Sequence, residues 1–170
     1  KEMMKMAKSD FKLIIAPHVV SHEHLIEIIE KFKAFNPVLF SDTKKLSDVH
    51  CRVLIIDSIG TLAYLYRYAR IAYVGGGFGA GIHNVLEAAT YGLPVIFGPN
   101  YKKFNEAVQL TGQGGGFPVQ NANDIIRIFN TLMHNEDAYQ KASAIAKNYV
   151  KVNGGATSKV ISKARDYLFD

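Results

Sequence analysis

IAYVGGGFGAGIHNVLEAATYGLPVIFGPN, residues 71–100, holds two short apolar runs, a glycine cluster and a helical pattern, in an order that decides the fold. Ile71 to Val74 reads as a strand, the cluster from Gly75 to Gly81 as the loop after it, and Asn84 to Tyr91 as a helix stopped by Gly92. Pro94 then leads into PVIF, a run without polar alternation, as expected of a parallel strand buried on both faces. Strand, glycine loop, helix and strand make a βαβ unit with a parallel pairing.

The alternation extends in both directions. Upstream, FKLIIA (Phe11 to Ala16) and RVLIID (Arg52 to Asp57) read as strands, with a shorter one at Val38 to Phe40. Ser21 caps a helix carrying Leu25, Ile28, Ile29, Phe32 and Phe35 at helical spacing, ended by Asn36 and Pro37. Leu62 to Tyr68 reads as a helix opened by the turn at Gly60. Downstream, Phe104 to Thr111 is helical, and Gly114 to Val119 supplies a last short strand. Three helices follow: one carrying Ile125, Ile128, Phe129 and Leu132 with Asn123 and Asp124 as candidate caps, then Glu136 to Val152, then Thr157 to Leu168. The fold class is α/β, a doubly wound parallel sheet, and residues 1–170 contain no linker that would divide them.

Length and composition agree with an ordinary globular domain: 170 residues, 48% hydrophobic and 21% charged. No apolar run approaches the ~20 residues of a membrane-spanning helix, and no long apolar or amphipathic segment stands out that would hold a lipid. The chain begins at Lys1 and enters a strand pattern almost at once, which is expected of a segment of a longer polypeptide. Cys51 is the single cysteine, so no internal disulfide forms, and the reading for it is a small buried apolar residue. The net charge of +5 favours anionic partners without choosing among them.

In an open parallel sheet, ligands bind outside the carboxyl ends of the strands. The loops expected there carry Pro17 and His18; Ser58, Ile59, Gly60 and Thr61; the glycines from Gly75; and Gly98, Pro99 and Asn100. Glycines let a ligand approach the backbone, and a helix start offers unpaired amides to an anion. Asn84 and Glu87, three apart, share a helix face, so a carboxylate able to accept from ribose hydroxyls lies beside amides able to hold phosphate. The same residues also have a purely structural reading, in which the glycines form a tight turn, Asn84 caps the helix and Glu87 complements its dipole.

Other chemistries fit less well. Gly75, Gly77 and Ala80 match the loose dinucleotide spacing G-x-G-x-x-A, but on a mid-chain strand and with no acidic residue ending the next one. His18, His22 and His24 around Glu23 have poor geometry for a metal, since residues two apart on a helix do not face each other. No helix-turn-helix, zinc or RNA-binding pattern accompanies the basic charge. No metal, cofactor or nucleic acid is expected.

The run from VLIID through YVGGGFGAGIHNVLEAATYGLPVIFGPNYKKFNEA resembles the C-terminal domain of GT-B glycosyltransferases, in particular the bacterial 3-deoxy-D-manno-octulosonic acid (Kdo) transferases (glycosyltransferase family 30-like). The resemblance rests on Gly75 and Gly76 after a strand, His83 to Glu87, Pro94 and Val95, Gly98 and Pro99, and Phe104. It implies a Rossmann-like C-terminal half that binds CMP-Kdo through Pro17, His18, Ile59, Gly60, Thr61, Gly75, Gly76, Asn84, Val85, Leu86 and Glu87. The family usually has Arg where this chain has His18, a weaker phosphate partner. The resemblance further implies an inverting transfer of Kdo to a lipid A precursor in lipopolysaccharide biosynthesis, at the cytoplasmic face of the bacterial inner membrane. The catalytic base and acceptor site then lie in an N-terminal domain expected to be absent from this chain, which alone is expected to be inactive.

Overall fold

A computed structural model describes Met4, residues 11–45 and residues 51–169. These divide into two compact units, one ending at Arg67 and one beginning at Tyr68. The described strands form two three-stranded sheets, both parallel. Helices or 3-10 stretches separate the strands, as the α/β reading expects, and three helices follow the last strand.

The first unit contains β1 (Leu13–Ile15), α1 (His22–Phe32), a 3-10 turn at Lys33–Phe35, β2 (Pro37–Leu39), a 3-10 stretch at Phe40–Lys45, β3 (Val53–Ile55) and a short α2 (Leu62–Leu65). β3 lies between the others, pairing Val53 with Leu13 and Pro37 and Ile55 with Ile15 and Leu39. Its central place explains why Val53 and Ile55 are fully buried. Ser21 caps α1, its Oγ accepting from His24 N at 3.3 Å, and Asn36 ends the following turn at φ 51°, a left-handed conformation that asparagine tolerates. Cys51 is buried, with Sγ 3.0 Å from the Val53 carbonyl it donates to, the bland role expected of it. Ser41 N donates to Asp57 Oδ1 at 3.0 Å and Ser41 Oγ to Oδ2, so Asp57, which showed no partner in the sequence, fastens the stretch after β2 to the end of β3.

The second unit runs β4 (Ala72–Val74), α3 (Leu86–Thr90), β5 (Val95–Phe97), α4 (Asn105–Gln113), β6 (Gly116–Pro118), α5 (Ala122–His134), α6 (Glu136–Asn153) and α7 (Ala156–Phe169). β5 is central and all three of its residues are buried, which matches its unbroken apolar sequence. On one side Ile96 packs with Val119, Ile128, Leu132 and Ala142. Val85, Ala88, Ala89, Leu93, Ala107, Leu110 and Ala146 are also sealed from solvent. α6 lies against α3, and Gly92, at φ 71°, brings the turn after α3 so near that an added Cβ would sit 3.3 Å from Ser143 Oγ.

Two helix boundaries differ from the sequence reading. α5 is capped by Asn121, whose Oδ1 accepts from Asn123 N at 2.9 Å and Asp124 N at 3.1 Å, while Asp124 turns back to accept from Gln120 N at 3.0 Å. The reciprocal pair moves the helix start two residues ahead of the expected caps. α3 is only five residues long, because Asn84 forms a turn before it instead of joining it. On α7, Val160, Ile161 and Tyr167 are exposed.

Candidate functional site

Each unit gathers its candidate residues at the carboxyl ends of its own strands. In the first, β1 and β3 run parallel as neighbours, and Ile56 N donates to Ile15 O at 2.8 Å where they end. The Pro17–His18 loop and the loop from Ser58 to Thr61 therefore leave the sheet side by side. His18 is exposed and Pro17 half-buried. Ile59 is 94% exposed and Gly60 stands at φ 84° with open space around its α-carbon. The loop keeps its shape through the hydroxyls of Ser58 and Thr61, 2.6 Å apart, and Thr61 stands at the start of α2. An apolar side chain this exposed on a braced turn is available to a ligand or a covering surface.

In the second unit the glycine cluster is a closed loop. Its ends meet where His83 N donates to Gly75 O at 3.1 Å, and inside it Gly79 N donates to Gly76 O at 2.8 Å. Gly76 requires glycine twice over: its φ is 87°, and an added Cβ would lie 2.3 Å from the Gly81 carbonyl oxygen. Gly77 presses on Gly98 of the loop after β5, where a Cβ would come within 2.7 Å of backbone. The tight-turn reading of the glycines is thus correct for these positions. It also leaves Gly76 exposed at the loop surface, while Gly75 is half-buried.

The residues that follow divide by role. Asn84 Oδ1 accepts from Leu86 N at 2.9 Å, closing a turn just ahead of α3, and its Nδ2 donates to Glu87 Oε1 at 3.1 Å. One amide therefore both ends the loop and aims a carboxylate. Val85 is fully buried, so its side chain belongs to the core and only its backbone can face a ligand. Leu86 is half-buried, and Glu87, Asn84 and His83 are exposed. Glu87 Oε2 carries no further bond among the described residues, which leaves it able to accept from ligand hydroxyls. The helix dipole contributes less than the sequence suggested, since α3 is short.

Asn100 was placed on a rim loop by the sequence but not counted among the binding residues. Its N donates to Gly77 O at 3.0 Å and its Nδ2 to Gly79 O at 2.7 Å. Phe104 completes the arrangement: a Cβ on Gly81 would lie 2.9 Å from its ring. Among the described residues no three His, Cys, Asp or Glu side chains come together as a metal group. His24, one of the three histidines near the first helix, instead contacts Glu27 at 3.4 Å.

The fold and the strand-end loops define the class, an α/β domain built like the C-terminal half of a GT-B glycosyltransferase. The particular likeness is to 3-deoxy-D-manno-octulosonic acid transferases. The chain is 31% identical over 132 residues to that enzyme of Aquifex aeolicus, covering 76% of this chain and 36% of the relative. It is 28% identical over 155 residues to that of Chlamydophila psittaci, covering 88% and 35%. The crystal structure of the C-terminal CMP-Kdo binding domain of WaaA from Acinetobacter baumannii superposes with a TM-score of 0.68 at 21% identity, over 81% of this chain and 72% of that domain. No protein-family model matches. The chain spans about a third of the length of these curated relatives.

Proposed function

We propose that this chain is the CMP-Kdo-binding part of a Kdo transferase. The observation that carries the reading is the pairing of Asn84 with Glu87 beside the exposed Gly76 turn. It supplies a carboxylate for ribose hydroxyls next to backbone that a phosphate can approach. Gly75, Gly76, Asn84, Leu86 and Glu87, with the backbone of Val85, form one contact region. Pro17, His18, Ile59, Gly60 and Thr61 form the other. His18 stands in place of the arginine usual in the family, and an imidazole offers a phosphate fewer donors than a guanidinium.

The reaction proposed for the whole protein is an inverting displacement at the Kdo anomeric carbon. A base deprotonates the acceptor hydroxyl of a lipid A precursor, and CMP leaves with its phosphate held by backbone amides. Base and acceptor site are assigned to an N-terminal domain of the same protein, working at the cytoplasmic face of the bacterial inner membrane. Two observations support a further domain: the matched region is only about a third of each relative, and α7 exposes Val160, Ile161 and Tyr167, apolar surface that another domain would cover. Among the described residues no helix is long and apolar enough to cross a membrane.

Calorimetric titration with CMP, UMP and UDP tests the donor assignment. CMP is expected to bind most tightly. Preference for UDP would assign the chain to another GT-B enzyme, a UDP-sugar transferase or epimerase, and nucleotide binding by a full-length protein that transfers nothing would make it a noncatalytic module.

A further inference from the structure

We infer that Asn100 is a positioning residue that holds the glycine loop in its ligand-ready shape, an inference that rests on the nucleotide reading above. The loop from Gly75 to Gly81 contains five glycines in seven residues, and glycine loses more conformational freedom on ordering than any other residue. Such a loop does not keep one shape unaided. Four of its carbonyls are fastened: Gly75 O by His83 N, Gly76 O by Gly79 N, Gly77 O by Asn100 N and Gly79 O by Asn100 Nδ2. Two of these four fastenings come from one residue on the neighbouring loop, 21 positions beyond Gly79.

Asn100 is itself well placed to brace. Phe97, just before its loop, packs its ring 5.3 Å from that of Tyr101, and Phe104 N donates to Tyr101 O at 2.9 Å. The loop after β5 is thus anchored in the buried strand, and Asn100 transmits that rigidity to the glycines. The side-chain amide is the part that only asparagine supplies here, since the backbone bond to Gly77 O survives substitution. The close approach of Gly77 to Gly98 and the Phe104 ring beside Gly81 do not involve the Asn100 side chain, so the domain retains its fold without it. What changes is the share of molecules whose loop is ordered, and apparent ligand affinity falls with that share.

The test uses Asn100→Asp, nearly equal in shape but with no proton to give Gly79 O, and Asn100→Ala, which removes the donor without adding charge. Amide exchange at Gly79 and His83, melting temperature and CMP affinity are measured on the 170-residue chain and both variants. The expected result is exchange faster by about tenfold at both amides and CMP binding weaker by about tenfold, with the melting temperature nearly unchanged. Unchanged exchange in both variants overturns the inference, as does faster exchange with full CMP affinity in Asn100→Ala. If the unsubstituted chain binds no CMP, the nucleotide reading fails, and the exchange measurement alone decides whether Asn100 holds the loop.

Discussion

Among the described residues Glu87 is held by the Asn84 amide, whose oxygen also closes the turn ahead of α3. The two residues therefore separate under mutation. Glu87→Ala removes an acceptor that ligand hydroxyls would use, and hydrogen bonds to charged groups contribute about 1.5–3 kcal/mol, or roughly 10- to 100-fold in affinity. It removes no bond that supports the backbone, so thermal stability should stay close to that of the unsubstituted chain. Asn84→Ala loses the bond to Leu86 N as well, which costs about 0.5–1.5 kcal/mol of stability, and it frees Glu87 to turn away. Calorimetry beside thermal melts distinguishes these outcomes. Glu87→Ala with full CMP affinity would return Glu87 to the role of a dipole partner.

At the scale of elements, the start of α6 carries the clearest electrostatic device. Arg70 lies with its guanidinium carbon 3.7 Å from the centroid of the Tyr139 ring and reaches Glu136 Oε2 at 2.5 Å, while Gln140 Nε2 donates to Oε1 at 2.7 Å. The Gln140 bond first, and Arg70 next, hold the Glu136 carboxyl below its ordinary value. A carboxyl lowered on folding stabilises the native state above its unfolded value, and that contribution disappears as pH falls through the folded value. Glu136→Gln should accordingly lower the melting temperature at neutral pH by a small amount, as befits an exposed pair. The gap to the unsubstituted chain should narrow as pH falls below the ordinary glutamate value of about 4.3. A gap that persists at low pH would mean that the charge of Glu136 is not what stabilises the native state.

The elements also show what the sequence could convey. PVIF announces a doubly covered strand because its burial leaves no polar face, and Ser21 announces α1 because a cap and its helix are adjacent in the chain. Local periodicity supplied the βαβ order and the loops at the strand ends. It could not supply the Ser41–Asp57 bond, the Gly77–Gly98 contact or the Asn100 brace, since their partners lie 16 to 23 positions apart and meet only when parallel strands are in register. The length of α3 was overread for a related reason. Asn84 fits a helix start by propensity, but its side chain bonds the backbone two residues on in a turn outside the helix, and the first true helical residue is Leu86.

For the molecule as a whole, the proposed function makes binding and turnover separable. Transfer from a sugar nucleotide to a lipid-borne sugar needs donor contacts, a base within hydrogen-bond reach of the acceptor hydroxyl, and a surface that holds both reactants in line. The donor contacts proposed here lie on the strand-end loops. Glu87 is engaged with Asn84 and, in this scheme, with ribose. Asp57, a carboxylate at the end of β3, is occupied by both the backbone amide and the hydroxyl of Ser41, so its use as a base would cost the first unit a structural tie. The 170 residues alone should therefore bind CMP yet form no product from CMP-Kdo and lipid A precursor, as followed by mass spectrometry of the lipid. A polypeptide extended to the full length of the curated relatives should turn over. Substituting Glu87 in that longer protein should raise the donor KM more than it lowers kcat, because a ribose contact far from the anomeric carbon acts in the ground state and the transition state alike. Product formed by the 170 residues alone would place a base and an acceptor site within them and end the two-domain scheme.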